Sequence, residues 1–174
     1  SLQAFARCAN KIRRVDGEPF PPFGNLKERK SHALRGSDKN WPVGILEAKE
    51  YPAIALVEGI PDFLEAHYLA LWEHASDYRS RGVHCAPVAM LSASPSILET
   101  ALPHFRGKHV RIFPHADTTG QRGGKRCAKQ LHGIADKVEL FSFAGLRRID
   151  GQAAKDLYDC RDLDPAEYLK DENL

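Results

Sequence analysis

The sequence predicts an α/β domain, a four-stranded, mostly parallel sheet flanked by helices and preceded by an N-terminal lead-in segment. Two observations carry this. Short continuous apolar runs such as Ala53-Ile54-Ala55-Leu56-Val57 have the form of strands buried on both faces. They alternate with segments of helical periodicity, and the order β-α-β-α-β-α-β implies parallel pairing through crossovers.

The elements follow in turn. After the first run, Pro61 sits where a first helical turn tolerates it, and Phe63, Leu64, His67, Tyr68 and Leu71 follow at helical spacing. Val88-Ala89-Met90-Leu91 reads as the second strand. Ser94-Pro95 reads as the start of a second helix, with Ile97, Leu98, Ala101 and Leu102 on one face. His109–Phe113 is the third strand. A third helix is expected from about Gly120 to Asp136, burying Cys127, Ala128, Leu131 and Ile134, and residues 137–143 form the fourth strand. Asp164-Pro165-Ala166-Glu167 has a capping Asp, a first-turn Pro and a Glu three residues on, which predicts a further helix.

Upstream, apolar residues at Leu2, Phe5, Ala9 and Ile12 suggest an amphipathic helix over residues 2–14. The Pro- and Gly-rich stretch 17–24 cannot be regular helix, and residues 31–50 allow short strands or a hairpin. The expected division is a basic lead-in over residues 1–50 and the α/β domain over 51–174. The opening Ser1 suggests a processed or excised piece of a larger protein.

Net charge is only +2 over 174 residues, but its distribution is uneven. Arg7, Lys11, Arg13, Arg14, Lys27, Arg29, Lys30, Arg35 and Lys39 crowd the first 40 residues against Asp16, Glu18, Glu28 and Asp38. A basic arm beside a slightly acidic body suits phosphate-backbone contact, although a solvated surface carries such charges too. Cys8, Cys85, Cys127 and Cys160 are widely spaced, without a zinc-ribbon pattern, and read as reduced packing residues of a cytoplasmic protein. No apolar run approaches a membrane span, so no membrane partner is expected.

In open parallel sheets, ligands gather beyond the carboxyl ends of the strands. Glu58-Gly59-Ile60-Pro61-Asp62 follows the first strand, and Pro114-His115-Ala116-Asp117-Thr118-Thr119-Gly120 follows the third. Carboxylates meeting at one sheet edge repel unless a cation neutralises them, and hard oxygen ligands favour magnesium. Gly120-Gln121-Arg122-Gly123-Gly124-Lys125-Arg126 is one residue too short for a phosphate-binding P-loop and lacks its Ser/Thr. Its Arg122, Lys125 and Arg126, with Lys129, are candidates for nucleic-acid backbone contact.

These two turns resemble the Toprim family, whose members carry Glu-Gly-x-x-Asp after the first strand and Asp-x-Asp-x-x-Gly after the third. The first motif matches in full; in the second, His115 stands in the place of the first Asp. Lys155-Asp156-Leu157-Tyr158-Asp159 resembles the Lys-Asp-x-x-Asp-like turn of primase-type members, and the likeness spans about residues 50–160. The resemblance implies a Toprim-like fold and Mg2+- or Mn2+-dependent phosphoryl or nucleotidyl transfer, most similar to a DNA primase acting in replication. It implies Glu58 as metal ligand or general acid/base, Asp117 as metal ligand and Asp62 as supporting carboxylate, with His115 in a ligand position. Implied partners are DNA or RNA, single-stranded in form, and further domains or replication proteins. The alternatives are a Toprim-type nuclease, and a degenerate module that binds nucleic acid or acts as a scaffold without catalysis.

Overall fold

The computed structural model describes residues 11–12, 16, 18–25, 27–29, 32–33, 37–75, 85–91 and 95–164. The helix beginning at Asp164-Pro165 lies outside these residues but for Asp164, and so does the expected amphipathic helix over 2–14 but for Lys11–Ile12, which form a strand instead. Lys11–Ile12 (β1) pairs antiparallel with His32–Ala33 (β2). The α/β unit follows: β3 (Ala53–Glu58), α1 (Ile60–Ala75), β4 (Cys85–Met90), β5 (His109–Phe113), α2 (Thr118–Leu131) and β6 (Lys137–Leu140). The four-stranded sheet has the order β4-β3-β5-β6, and all its pairings are parallel.

This order creates the feature that positions the site. From β3 the chain crosses to β4 on one side. From β5 it crosses to β6 on the other. The switch point therefore lies between the carboxyl ends of β3 and β5, where a crevice opens in sheets of this type.

The strands β3 and β4 are buried or half-buried along their length, which explains why they read as continuous apolar runs. Ile54, Leu56, Val88, Val110 and Ile112 face one core, with Phe105, Cys127 and Leu131 packed over them. Val57 and Ala89 face the other, beneath Ala66, Phe143, Leu146 and Leu157. The first core also takes in Trp41, Ile45 and Ala48, so packing onto the sheet begins before residue 51. Val43 forms an antiparallel bridge to Ala89 on the outer edge of β4.

The segment after Pro95 departs from expectation. No α-helix forms there; a 3-10 helix runs over Glu99–Phe105, with Pro103 inside it. Leu98 is extended, and the Gln130 side chain satisfies the Ile97 backbone on both sides: its Oε1 accepts from Ile97 N at 2.8 Å and its Nε2 donates to Ile97 O at 2.9 Å. Once a carboxamide takes these two groups, helix is no longer needed to satisfy them. Helix α2 stops at Leu131, short of Asp136, where Gly133 turns the chain with φ of 76°. The fourth strand ends at Leu140, although Phe141 N still donates to Ile112 O.

Helix α2 lies close to the β5 turn because glycines form its inner side. A Cβ on Gly124 would sit 2.7 Å from Pro114 Cβ. Gly124→Ala gains roughly 1 kcal/mol of helix propensity. Overpacking against a rigid proline ring costs about 1–3 kcal/mol. The variant is therefore expected to be less stable than wild type. Denaturant unfolding followed by circular dichroism measures this, and a raised midpoint would refute it.

Candidate functional site

The turn after β3 is shaped by Gly59, whose φ of 94° favours glycine. Gly59 N donates to Met90 O at 2.9 Å, which locks the turn to the end of β4. The chain then enters α1 and places Asp62 in its first turn. Asp62 is almost wholly buried. Asp62 Oδ2 meets His115 Nε2 at 2.7 Å, and Asp62 Oδ1 accepts from Tyr158 N at 3.1 Å.

His115 comes from the turn after β5 and points inward. Its Nε2 also lies 3.1 Å from Glu58 O. A carbonyl and a carboxylate both accept, so Nε2 carries a proton and donates to both. The Asp62 hydrogen bond and the charges of Asp62, Glu58 and Asp156 outweigh desolvation and raise the His115 pKa from 6.5 to about 9. An ordinary histidine would titrate near 6.5; the raised value favours the imidazolium at neutral pH. Backbone Ala116 N donates to Lys155 O at 2.7 Å, which brings the 155–159 loop against the same turn.

That loop contributes Asp156. Asp62, His115 and Asp156 each offer one ligand atom, and these atoms all lie within 4.8 Å of one another, a group that could hold a metal ion. Asp156 was legible only as part of the Lys155–Asp159 turn, and nothing in its spacing singled it out from Asp159. Asp159 turns elsewhere: it accepts from Arg148 Nη1 at 3.0 Å and from Lys155 N at 2.9 Å. Burial raises the Asp156 pKa, partly offset by the hydrogen bond from Asp159 N.

Glu58 and Asp117 lie at the same carboxyl edge, at the ends of adjacent strands. Among the described residues neither joins the three-residue ligand group. Asp117 is the N-cap of α2, its Oδ1 accepting from Gly120 N at 2.7 Å. Glu58 is half-buried. Desolvation raises its pKa first, His115 lowers it, and Asp117 and Asp62 raise it further. The predicted juxtaposition of Glu58, Asp62, His115 and Asp117 at one sheet edge is therefore present. The closest pairing, however, is histidine with Asp62.

Arg122, Lys125, Arg126 and Lys129 are all exposed on the outer side of α2, whose inner side is Gly120, Gly123, Gly124 and Cys127. The glycines that resemble a phosphate loop are thus packing residues. Cys127 is buried, and desolvation pushes its thiol up to about 12, as it does for Cys160. Cys85, Cys127 and Cys160 form no disulfide with one another. Among the described residues no helix is long and apolar enough to cross a membrane.

Because the folded pKa of His115 is raised, its contribution to stability is complete below about pH 6.5 and disappears as pH rises through about 9. The ring is about one-third exposed, so solvent screening reduces the contribution to about 1–2 kcal/mol. His115→Gln keeps a donor without the charge. Its deficit against wild type in urea unfolding should be largest at pH 6 and shrink towards pH 9.5. A deficit independent of pH would show that the ion pair contributes nothing. Comparison of the chain with known protein families, with curated proteins and with solved structures finds no match.

Proposed function

We propose that this chain is a Toprim-like module that processes nucleic acid by cation-assisted phosphoryl or nucleotidyl transfer, primase-like in type. The observation that supports it best is the placement of two acidic turns, 58–62 and 114–120, at the carboxyl ends of adjacent parallel strands at a switch point. Asp62, Asp156 and His115 would hold the cation, with Asp117 and Glu58 beside them. Two carboxylates and an imidazole suit Mn2+ better than Mg2+. A bound divalent cation supplies charge stabilisation on the phosphoryl oxygens and lowers the pKa of a coordinated nucleophile.

The chain's own groups supply the rest. Glu58, with its raised pKa, is suited to hold and release a proton as general acid/base. Asp62, fixed by Tyr158 N, orients His115. Arg122, Lys125, Arg126 and Lys129 offer a cationic track for a single-stranded phosphate backbone.

A second reading is favoured by one specific contact. The proton on His115 Nε2 lies between Asp62 and Glu58 O, so the imidazolium already serves as counter-ion to Asp62. On this reading the module binds nucleic acid without catalysing transfer. The two readings separate through metal binding. Cation uptake at His115 must displace that proton, so affinity should rise with pH towards 9 and release a proton on binding.

Calorimetry with Mg2+ and Mn2+ tests this. Wild type should prefer Mn2+, and His115→Asp should restore Mg2+ binding by returning a charge and an oxygen ligand. Primer synthesis with Mn2+, nucleoside triphosphates and a single-stranded template should fall by roughly a hundredfold or more in Glu58→Gln. Wild type that neither binds Mn2+ nor makes product would leave the non-catalytic reading standing.

Nucleic-acid binding is tested separately. Affinity for single-stranded DNA should fall steeply with salt. Replacing Arg122 and Lys125 by Gln should flatten the log-log slope by roughly 1.4. An unchanged slope would remove α2 from the contact surface.

A further inference from the structure

A cavity of about 300 Å³ lies between α1 and the sheet, lined by the first residues of β3, β4 and β5 and reaching Phe113 and Leu157. Its floor is Ala53 and Ala55 of β3, its roof Ala66, Leu69 and Ala70 of α1, and its flanks are formed from β4 and β5. In a parallel sheet covered on both faces, such positions are ordinarily filled by Val, Ile or Leu. Here small side chains face one another across the sheet–helix gap, leaving room where close packing is the rule. The volume is about twice the roughly 150 Å³ that holds benzene. It falls at the lower end of ligand pockets. A neighbouring cavity of about 430 Å³ shares Ala70, Cys85 and Pro87 and extends the space.

The chemistry of the rim is independent of the shape. His109 and Arg111 line the cavity on the β5 side. Beside them on β6 stand Lys137 and Glu139. Glu139 Oε2 meets His109 Nε2 at 2.8 Å and Arg111 Nη2 at 3.2 Å, and its Oε1 meets Lys137 Nζ at 2.6 Å. One carboxylate thus serves two fixed cations and an imidazole, so the rim carries surplus positive charge. Arg111 bonds Glu139 through Nε and Nη2, which leaves further guanidinium donors for an oxyanion.

We propose that this trough binds a small organic anion, a compact apolar body carrying one carboxylate or phosphate head. The apolar part lies over Ala53 and Ala55 beneath α1, and the head meets Arg111 and His109 in place of part of the Glu139 contact. Ligands of this size with one charged anchor bind in the millimolar range. The proposal does not depend on the reading of the carboxyl-edge site.

Titration of the full chain with benzoate, phenyl phosphate and neutral benzyl alcohol, followed by 1H–15N shifts, tests it. Saturable shifts centred on Ala53, Ala55 and Ala70 are expected with the two anions, and roughly tenfold weaker binding with the alcohol. Tighter binding of phenyl phosphate assigns the head as a phosphate monoester; tighter binding of benzoate assigns a carboxylate. Arg111→Gln should weaken the anions by roughly tenfold, and Ala55→Val should block all three probes. Glu139→Gln should act oppositely and tighten the anions, a sign that a merely structural ion pair would not give. If Arg111→Gln unfolds, Arg111→Lys carries the test, with weaker binding through loss of the planar fork. No saturable shift by about 10 mM would overturn the proposal. So would equal binding of the neutral probe, or indifference to Arg111 and Glu139.

Discussion

The contact between His115 and Asp62 organises the end of the sheet where the two acidic turns meet. A carboxylate as buried as Asp62 cannot stay ionised without a partner, since desolvation of an isolated charge costs several kcal/mol. Its two oxygens are met from two directions, by His115 of the β5 turn and by the Tyr158 backbone of the C-terminal loop. One side chain on α1 therefore ties together three chain segments that share no local sequence. Glu58 is drawn into the same arrangement through its carbonyl, which accepts from His115.

This constraint explains the rotation of α1. The apolar spacing in that helix highlighted Phe63, Leu64, His67, Tyr68 and Leu71. In the fold, Leu64 and Tyr68 are exposed, while Asp62, Glu65 and Ala66 turn inward. A hydrophobic stripe alone would have turned Leu64 towards the sheet. The buried ion pair, held from both sides, sets the helix phase instead. Glu65, one turn on from Asp62, is carried inward with it. Its Oε1 is buried without a hydrogen-bond partner, and desolvation raises its pKa. This is a local cost of the rotation.

How much was legible in the sequence follows from the range of each signal. β3 could be read because burial leaves a continuous apolar run, and β5 falls on His109–Phe113 as expected, while β4 begins at Cys85, three residues before the expected Val88. The two acidic turns could be placed because topology alone puts them at one sheet edge. The segment after Pro95 could not be read, because a distant Gln130 side chain, not local propensity, satisfies its backbone. Asp156 was hidden for a similar reason. Its place beside Asp62 depends on the Ala116–Lys155 backbone bond, a contact between segments some forty residues apart. The direction of the His115 side chain was equally out of reach, since it is set by Asp62 from another strand's turn.

The same pair sets the terms on which any cation enters. Three carboxyl groups near one imidazolium leave the cluster with more acidic groups than cations, and its charge changes if either the proton or a metal is added. At neutral pH the proton holds the position, because the Asp62 bond and the surrounding carboxylates outweigh the cost of burying the imidazolium. A divalent ion brings twice the charge but must first displace that proton, and it gains two hard oxygen ligands and one borderline nitrogen. Manganese tolerates this mixed donor set better than magnesium does. His115 is therefore more than a candidate ligand. It supplies an internal counter-ion that a metal has to replace, and this competition distinguishes a carboxylate site built around histidine from one built of acidic residues alone.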